Sequence, residues 1–131
     1  MSHDNPNDLL YTSSHEWIRR EANGVITLGV THHAQEALGD LVYAETYSVG
    51  KRLEAGDTCA VIESVKAASD VYTPVAGTLL AGNPDLAKTP EIINHDPYGK
   101  GWLVRIRLEP GSALEGLLDA EAYERLLAEG H

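Results

Sequence analysis

Short runs of alternating or continuous apolar residues, broken every few positions by glycine, asparagine or proline, dominate this chain. The spacing predicts strands at His15 to Arg20, at Val25-Ile26-Thr27-Leu28-Gly29-Val30 and from Leu41 to Tyr47. Further strand-like runs are Thr58 to Ile62, Val71 to Thr73, Gly77 to Gly82 and Trp102 to Leu108. Trp102 to Leu108 alternates most cleanly. In the first strand the two-residue period sets Trp17 on one face and Glu16 on the other. Val25 to Val30 is mostly apolar, which predicts cover on both faces. Glu21-Ala22-Asn23-Gly24 reads as a turn, because Asn and Gly tolerate positive φ. Helical signals are short and peripheral. Thr31 is a suitable N-cap for a helix ending at Leu38, with Gly39 expected in the left-handed position after it. Pro84 to Lys88 and Pro90 to Asn94 read as helical turns. Asp119 caps a last helix whose stripe is Leu118, Ala122, Tyr123, Leu126 and Leu127. The expected fold is mainly β, with short helices at the periphery and a C-terminal helix. Residues 1–8 are polar and expected to fray.

The 131 residues suit one domain with a single core. Phenylalanine is absent, so aliphatic residues, two Trp and six Tyr must fill the interior. Twenty acids against ten bases give a formal charge of −10. That balance argues against nucleic-acid binding, which needs basic surface to displace counterions. It suits a soluble protein steered towards basic docking faces. Cys59 is the single cysteine, so no internal disulfide can form, and its apolar strand marks it as a core residue. No apolar run approaches a membrane span, and the first residues lack signal- or transit-peptide character. Taken as complete, the chain reads as a bacterial-type cytoplasmic protein.

The candidate chemistry centres on Lys66. Of the four lysines, only Lys66 has small or apolar residues beside it and strand-like runs on both sides. The layout is that of a lysine on a β-hairpin tip. Val65 and Lys66 are not a positive-φ pair, so the tip needs another turn type than Asn-Gly would give. Two distractors are set aside. His32-His33-x-x-Glu36 lacks the further ligands a metal needs, and adjacent helical histidines diverge by about 100°; no metal is expected. Glu63 and Asp70 flank the tip and look like a carboxylate pair, but no nucleophile and base are paired in the sequence.

The stretch Glu63-Ser64-Val65-Lys66-Ala67-Ala68-Ser69-Asp70 resembles the lipoyl-attachment motif of the glycine cleavage system H protein family. Four more segments in order share the resemblance: Ser14-His15-Glu16-Trp17, Thr31 to Asp40, Asp96-Pro97-Tyr98-Gly99-Lys100-Gly101-Trp102, and Leu118 to Tyr123. It extends from about Tyr11 to about Glu129. It implies a lipoyl/biotinyl-type flattened β-barrel, the barrel-sandwich hybrid, with approximate two-fold symmetry that the echo of Gly24–Gly29 in Gly77–Gly82 fits. It implies a non-enzymatic carrier of glycine catabolism and one-carbon metabolism, with lipoate covalently attached to Lys66. The implied partners are glycine decarboxylase with pyridoxal phosphate, aminomethyltransferase with tetrahydrofolate, dihydrolipoyl dehydrogenase with FAD, and a lipoyl ligase or transferase. The hard chemistry is theirs and the cofactor's. By position, Ser14, Glu16 and Asp70 match a cleft sheltering the loaded arm, and Glu63 and Asp70 match features for ligase recognition. The alternatives are a purely structural β-domain, a lipoate relay to other complexes and a biotinyl carrier. The latter is disfavoured because Val65 and Ala67 stand where that family places Met.

Overall fold

In a computed structural model, residues 5–47, 49–111, 114 and 116–130 are described. The strands are β1 Leu10–Tyr11, β2 Glu16–Arg20, β3 Val25–Val30, β4 Leu41–Thr46, β5 Arg52–Leu53, β6 Thr58–Ser64, β7 Ala68–Tyr72, β8 Gly77–Gly82 and β9 Val104–Leu108. Helix α1 is His32–Leu38, α2 is Ile92–His95 and α3 is Ala120–Ala128, with a 3-10 turn over Pro84–Ala87. A six-stranded sheet runs β1-β2-β3-β9-β8-β5, and a three-stranded sheet runs β4-β6-β7. Every pairing is antiparallel.

The main core lies between the sheets. Ile18, Ile26, Leu28, Val104, Ile106 and Leu79 from the larger sheet meet Ala44, Ala60, Ile62 and Val71 from the smaller one. Burial of this kind is the principal stabilising term in a mainly-β domain. A second cluster, Leu9, Tyr11, Trp17, Ala120 and Tyr123, covers one end of the larger sheet's other face beneath α3. Tyr11 and Tyr123 stack there with ring centroids 4.7 Å apart. Both faces of the larger sheet are thus apolar where α3 covers it, as the run Val25–Val30 predicts. The echoing segments, β3 and β8, flank β9 on its two sides.

The turn at 21–24 forms as expected, with Asn23 and Gly24 at φ 62° and 74°. Thr31 caps α1 by accepting from the Ala34 N–H, and Asp119 caps α3 by accepting from the Ala122 N–H. Three local details differ from expectation. Gly39 has φ 85° but ψ −163°, so it turns the chain out into an extended path towards β4 instead of a left-handed cap. The last long strand starts at Val104, because the Trp102 N–H is taken by the Gly99 carbonyl of the preceding loop. Residues 1–4 lie outside the described residues. Residues 5–8, also expected to fray, instead pack: Asn5 is buried with its amide on Glu124, and the Tyr11 hydroxyl donates to the Pro6 carbonyl at 2.6 Å.

Trp17 is fully buried across from Gly29, its register partner on β3, and its indole N–H donates to the Pro97 carbonyl at 2.9 Å. A Cβ at Gly29 would fall 2.6 Å from the indole ring. Gly29→Ala is therefore expected to lower unfolding free energy by ~1–3 kcal/mol, the usual range for overpacking. Urea melts check it; a variant as stable as the parent would show that the indole moves freely.

Candidate functional site

Strands β6 and β7 form a hairpin from Glu63↔Ala68 downwards, and Val65-Lys66 is its tip. Neither tip residue has positive φ. Closure uses a side chain instead. The Ser64 N–H donates to the Ala67 carbonyl at 2.8 Å, while the Ala67 N–H donates to Ser64 Oγ at 3.1 Å. Ser64 thus replaces with its hydroxyl a bond its own carbonyl would otherwise make, which is how serine favours turns. Val65 is 89% exposed, and Lys66 is exposed beside it. Lys66 makes no hydrogen bond or ion pair with any described residue.

A second element stands next to the tip. Leu38, Gly39 and Asp40, where α1 ends, line with Ser64, Val65 and Lys66 an open hollow of about 240 Å³. A Cβ at Gly39 would be 3.8 Å from Lys66 Cε, so the lysine stem lies along this corner. Asn94 on α2 holds the corner in place. Its amide donates to the Gly39 carbonyl at 3.0 Å and to Gln35 Oε1 at 2.9 Å, and its Oδ1 accepts from the Leu41 N–H at 2.9 Å. The Tyr98 hydroxyl accepts from the His32 N–H at the other end of α1. Sequence reasoning missed Asn94. An Asn at the end of a four-residue helix gives no signal until α1 and α2 are seen to pack.

Alternation sets Glu16 opposite the buried Trp17, yet Glu16 is buried as well, at 3% exposed. Both faces of β2 are covered: Trp17 by α3 and the 96–102 loop, Glu16 by the edge of β7. Its Oε1 accepts from Thr12 Oγ1 at 2.6 Å and its Oε2 from the Tyr72 N–H at 3.2 Å. Thr12 Oγ1 also accepts from the N–H groups of Ser14 and Glu16. Ser14 is exposed on that turn, and His15 reaches φ 71° within it. Asp70 is exposed on β7, two residues before Tyr72. The structure thus brings the Ser14–Glu16 turn to the strand that carries Asp70, and no hydrogen bond joins Ser14, Glu16 or Asp70 to Lys66.

The electrostatics separate structural groups from the candidate site. Burial raises the Glu16 carboxyl above its ordinary value, and the bonds from Thr12 and Tyr72 only partly oppose this. Cys59 is fully buried and its thiol is pushed up to about 12, mainly by burial and then by the charge on Glu16. That is the state of an inert core thiol. The adjacent histidines diverge as expected: His32 faces Glu36 at 3.5 Å, and the His33 ring lies 4.6 Å from that of His15. His15 Nδ1 meets the Tyr123 hydroxyl at 2.8 Å, which also meets Thr31 Oγ1 at 2.8 Å. Among the described residues no three His, Cys, Asp or Glu side chains are grouped to hold a metal. Among them, too, no helix is long and apolar enough to cross a membrane.

A flattened pair of sheets that presents one unpaired lysine on a stiff hairpin defines the class: a carrier-type β-domain of the lipoyl/biotinyl kind. The family model described as Glycine cleavage H-protein matches residues 9–130. The Glycine cleavage system H protein of Aeromonas hydrophila is 56% identical over 129 residues, covering 98% of this chain and 99% of that protein. Its counterpart from Halorhodospira halophila is 54% identical over 124 residues, covering 95% of each. The crystal structure of a glycine cleavage system H protein from Mycobacterium marinum superposes with TM-score 0.85 at 36% identity, over 94% of this chain and 98% of that one. The chain belongs to the glycine cleavage H-protein family.

A raised carboxyl favours the protonated form in the folded state, so Glu16 contributes stability at low pH that is lost as pH rises from about 4.5 through its raised folded value. Glu16→Gln keeps an acceptor for the Tyr72 N–H and removes the titration. The variant's stability relative to the parent should therefore improve between acid and neutral pH. Urea melts across that range check this; a difference that is flat or of opposite slope would contradict the burial account.

Proposed function

We propose that lipoate is attached as an amide to Nζ of Lys66, and that this chain works as the lipoyl carrier of a glycine cleavage system. Its part is that of a carrier component, not a catalyst. The observation that carries the reading is the unpaired, exposed Lys66 on a turn closed by Ser64. Acylation turns an ammonium into a neutral amide. A lysine with no counter-ion loses no partner when that happens, so modification leaves the fold untouched. Small neighbours Ala67, Ala68 and Ser69 leave access for the ligase.

When bound, lipoate supplies a disulfide on a flexible arm that can carry a one-carbon amino fragment and reducing equivalents. This chain's residues hold the arm's root and set its direction. A tether raises the local concentration of its cargo at each partner's site without any new contact. The proposed partners are glycine decarboxylase, aminomethyltransferase, dihydrolipoyl dehydrogenase and a lipoyl ligase, in the cytoplasm. The turn of Ser14 and Glu16 against the β7 strand of Asp70 is the proposed shelter for the loaded arm. There a carboxylate would attract a protonated amine. Glu16 keeps lone pairs free beyond its two present bonds, and Asp70 is the solvent-facing carboxylate of the set.

Reconstitution with the three enzymes tests the reading. Lys66→Arg keeps the charge and removes the acylable amine. It is expected to lose glycine cleavage support entirely while melting like the parent. Support that persists in Lys66→Arg would overturn the proposal.

A further inference from the structure

We propose that the outer face of the three-stranded sheet, carrying Tyr43, Glu45, Val61, Glu63, Asp70 and Tyr72, is a docking face for the basic surface of an enzyme that works on the arm. The proposal rests on the carrier reading and goes beyond it, because that reading says nothing about where partners sit.

The register puts these residues side by side. Tyr43 pairs with Glu63, and Glu45 pairs with Val61, which pairs with Asp70. Their neighbours along the strands, Ala44, Ile62 and Val71, point into the core. Among the described residues, six large hydrophobic side chains are exposed, and four of them are on this sheet or its hairpin tip: Val42, Tyr43, Val65 and Tyr72. Tyr43 and Tyr72 are 43% and 41% exposed, while Val61 between the strands is nearly covered at 9%. Nothing in the fold explains that exposure. Rigid, half-exposed tyrosines around a small apolar centre are the usual composition of a protein-binding patch.

Charge identifies the occupant. Glu45, Glu63 and Asp70 make no ion pair with any described residue, and the Tyr43 hydroxyl donates to Glu45 at 2.6 Å, adding no compensating charge. The larger sheet's outer face is opposite in sign. Arg19, Thr27 and Arg105 lie in one cross-strand row, and Arg107 in the next along with Arg52, whose charge is taken up by ion pairs to Glu54 and Glu109. Arg19 and Arg105 are stacked over Trp17 and Trp102, at 4.8 Å and 4.2 Å from the ring centroids. A chain of net charge −10 has thus placed Arg19, Arg105 and Arg107 on one sheet, while the outer face of the other carries carboxylates and, at its tip, the lysine proposed for acylation. A basic partner is drawn to the molecule and turned towards the acidic sheet, the one whose hairpin carries Lys66. The arginine face disfavours docking from behind.

The test uses lipoylated protein, so that loading is complete before docking is measured. Glu45→Gln/Glu63→Gln is compared with Glu121→Gln on α3 combined with Glu129→Gln at its C-cap, which changes net charge equally. Association with the decarboxylase, aminomethyltransferase and dehydrogenase is followed by stopped flow at low and high salt. For at least one enzyme the sheet variant should associate about tenfold more slowly at low salt, and the difference should close at high salt. Tyr43→Ser should speed dissociation from that enzyme roughly fivefold. Equal rates for the two charge variants with all three enzymes would overturn the docking face, as would self-association through this sheet. Turnover at saturating enzyme should stay normal in the sheet variant, which separates failure of docking from failure of the carrier reading.

Discussion

One buried carboxylate joins the two sheets where the lysine hairpin leaves the body. Strand β7 is the edge of the smaller sheet, and an edge strand leaves backbone donors unpaired. Glu16 takes the Tyr72 N–H, and Thr12 steadies its other oxygen. Burying a carboxyl is unfavourable unless its bonds are made, and its raised protonation equilibrium records that tension. In return, hydrogen bonds tie the turn at 12–16 and the second strand to the hairpin. A tip on a loose strand would point everywhere; this one has a direction.

Above that junction, local choices converge on an exposed and unencumbered amine. Ser64 closes the turn without glycine, so the tip keeps a restricted backbone. The lysine stem lies beside Gly39, and Asn94 holds Gly39 by its carbonyl. Loading then breaks no ion pair among the described residues, since Lys66 is paired with none of them. In the proposed role the remaining acidity serves partners. The two outer sheet faces differ in sign, which gives a small, symmetric-looking sandwich a front and a back.

Much of the fold was legible because strands, turns and caps are local. Thr31, Asp119, Asn23 and Gly24 do what their chemistry predicts. The lysine hairpin was legible too, from small residues between two apolar runs. Glu16 was not. Alternation puts it opposite Trp17, and a strand with one buried tryptophan reads as half-exposed; only the packing of two sheets and α3 covers both sides. Asn94 was invisible for a related reason, since it acts through bonds to Gln35, Gly39 and Leu41, which its own segment does not specify. The segregation of arginines from carboxylates is likewise a property of register. Arg19 and Arg105 lie 86 positions apart in the chain and one strand apart in the sheet.

The central claim is that a single amine among four lysines is the anchor. Wild-type protein incubated with lipoate, ATP and a lipoyl ligase, then digested and mapped by mass spectrometry, tests it without recourse to turnover. The account predicts one lipoyl group per chain, confined to the peptide containing Lys66, with Lys51, Lys88 and Lys100 unmodified. Lipoyl mass on any of those three, or none on Lys66, would contradict it.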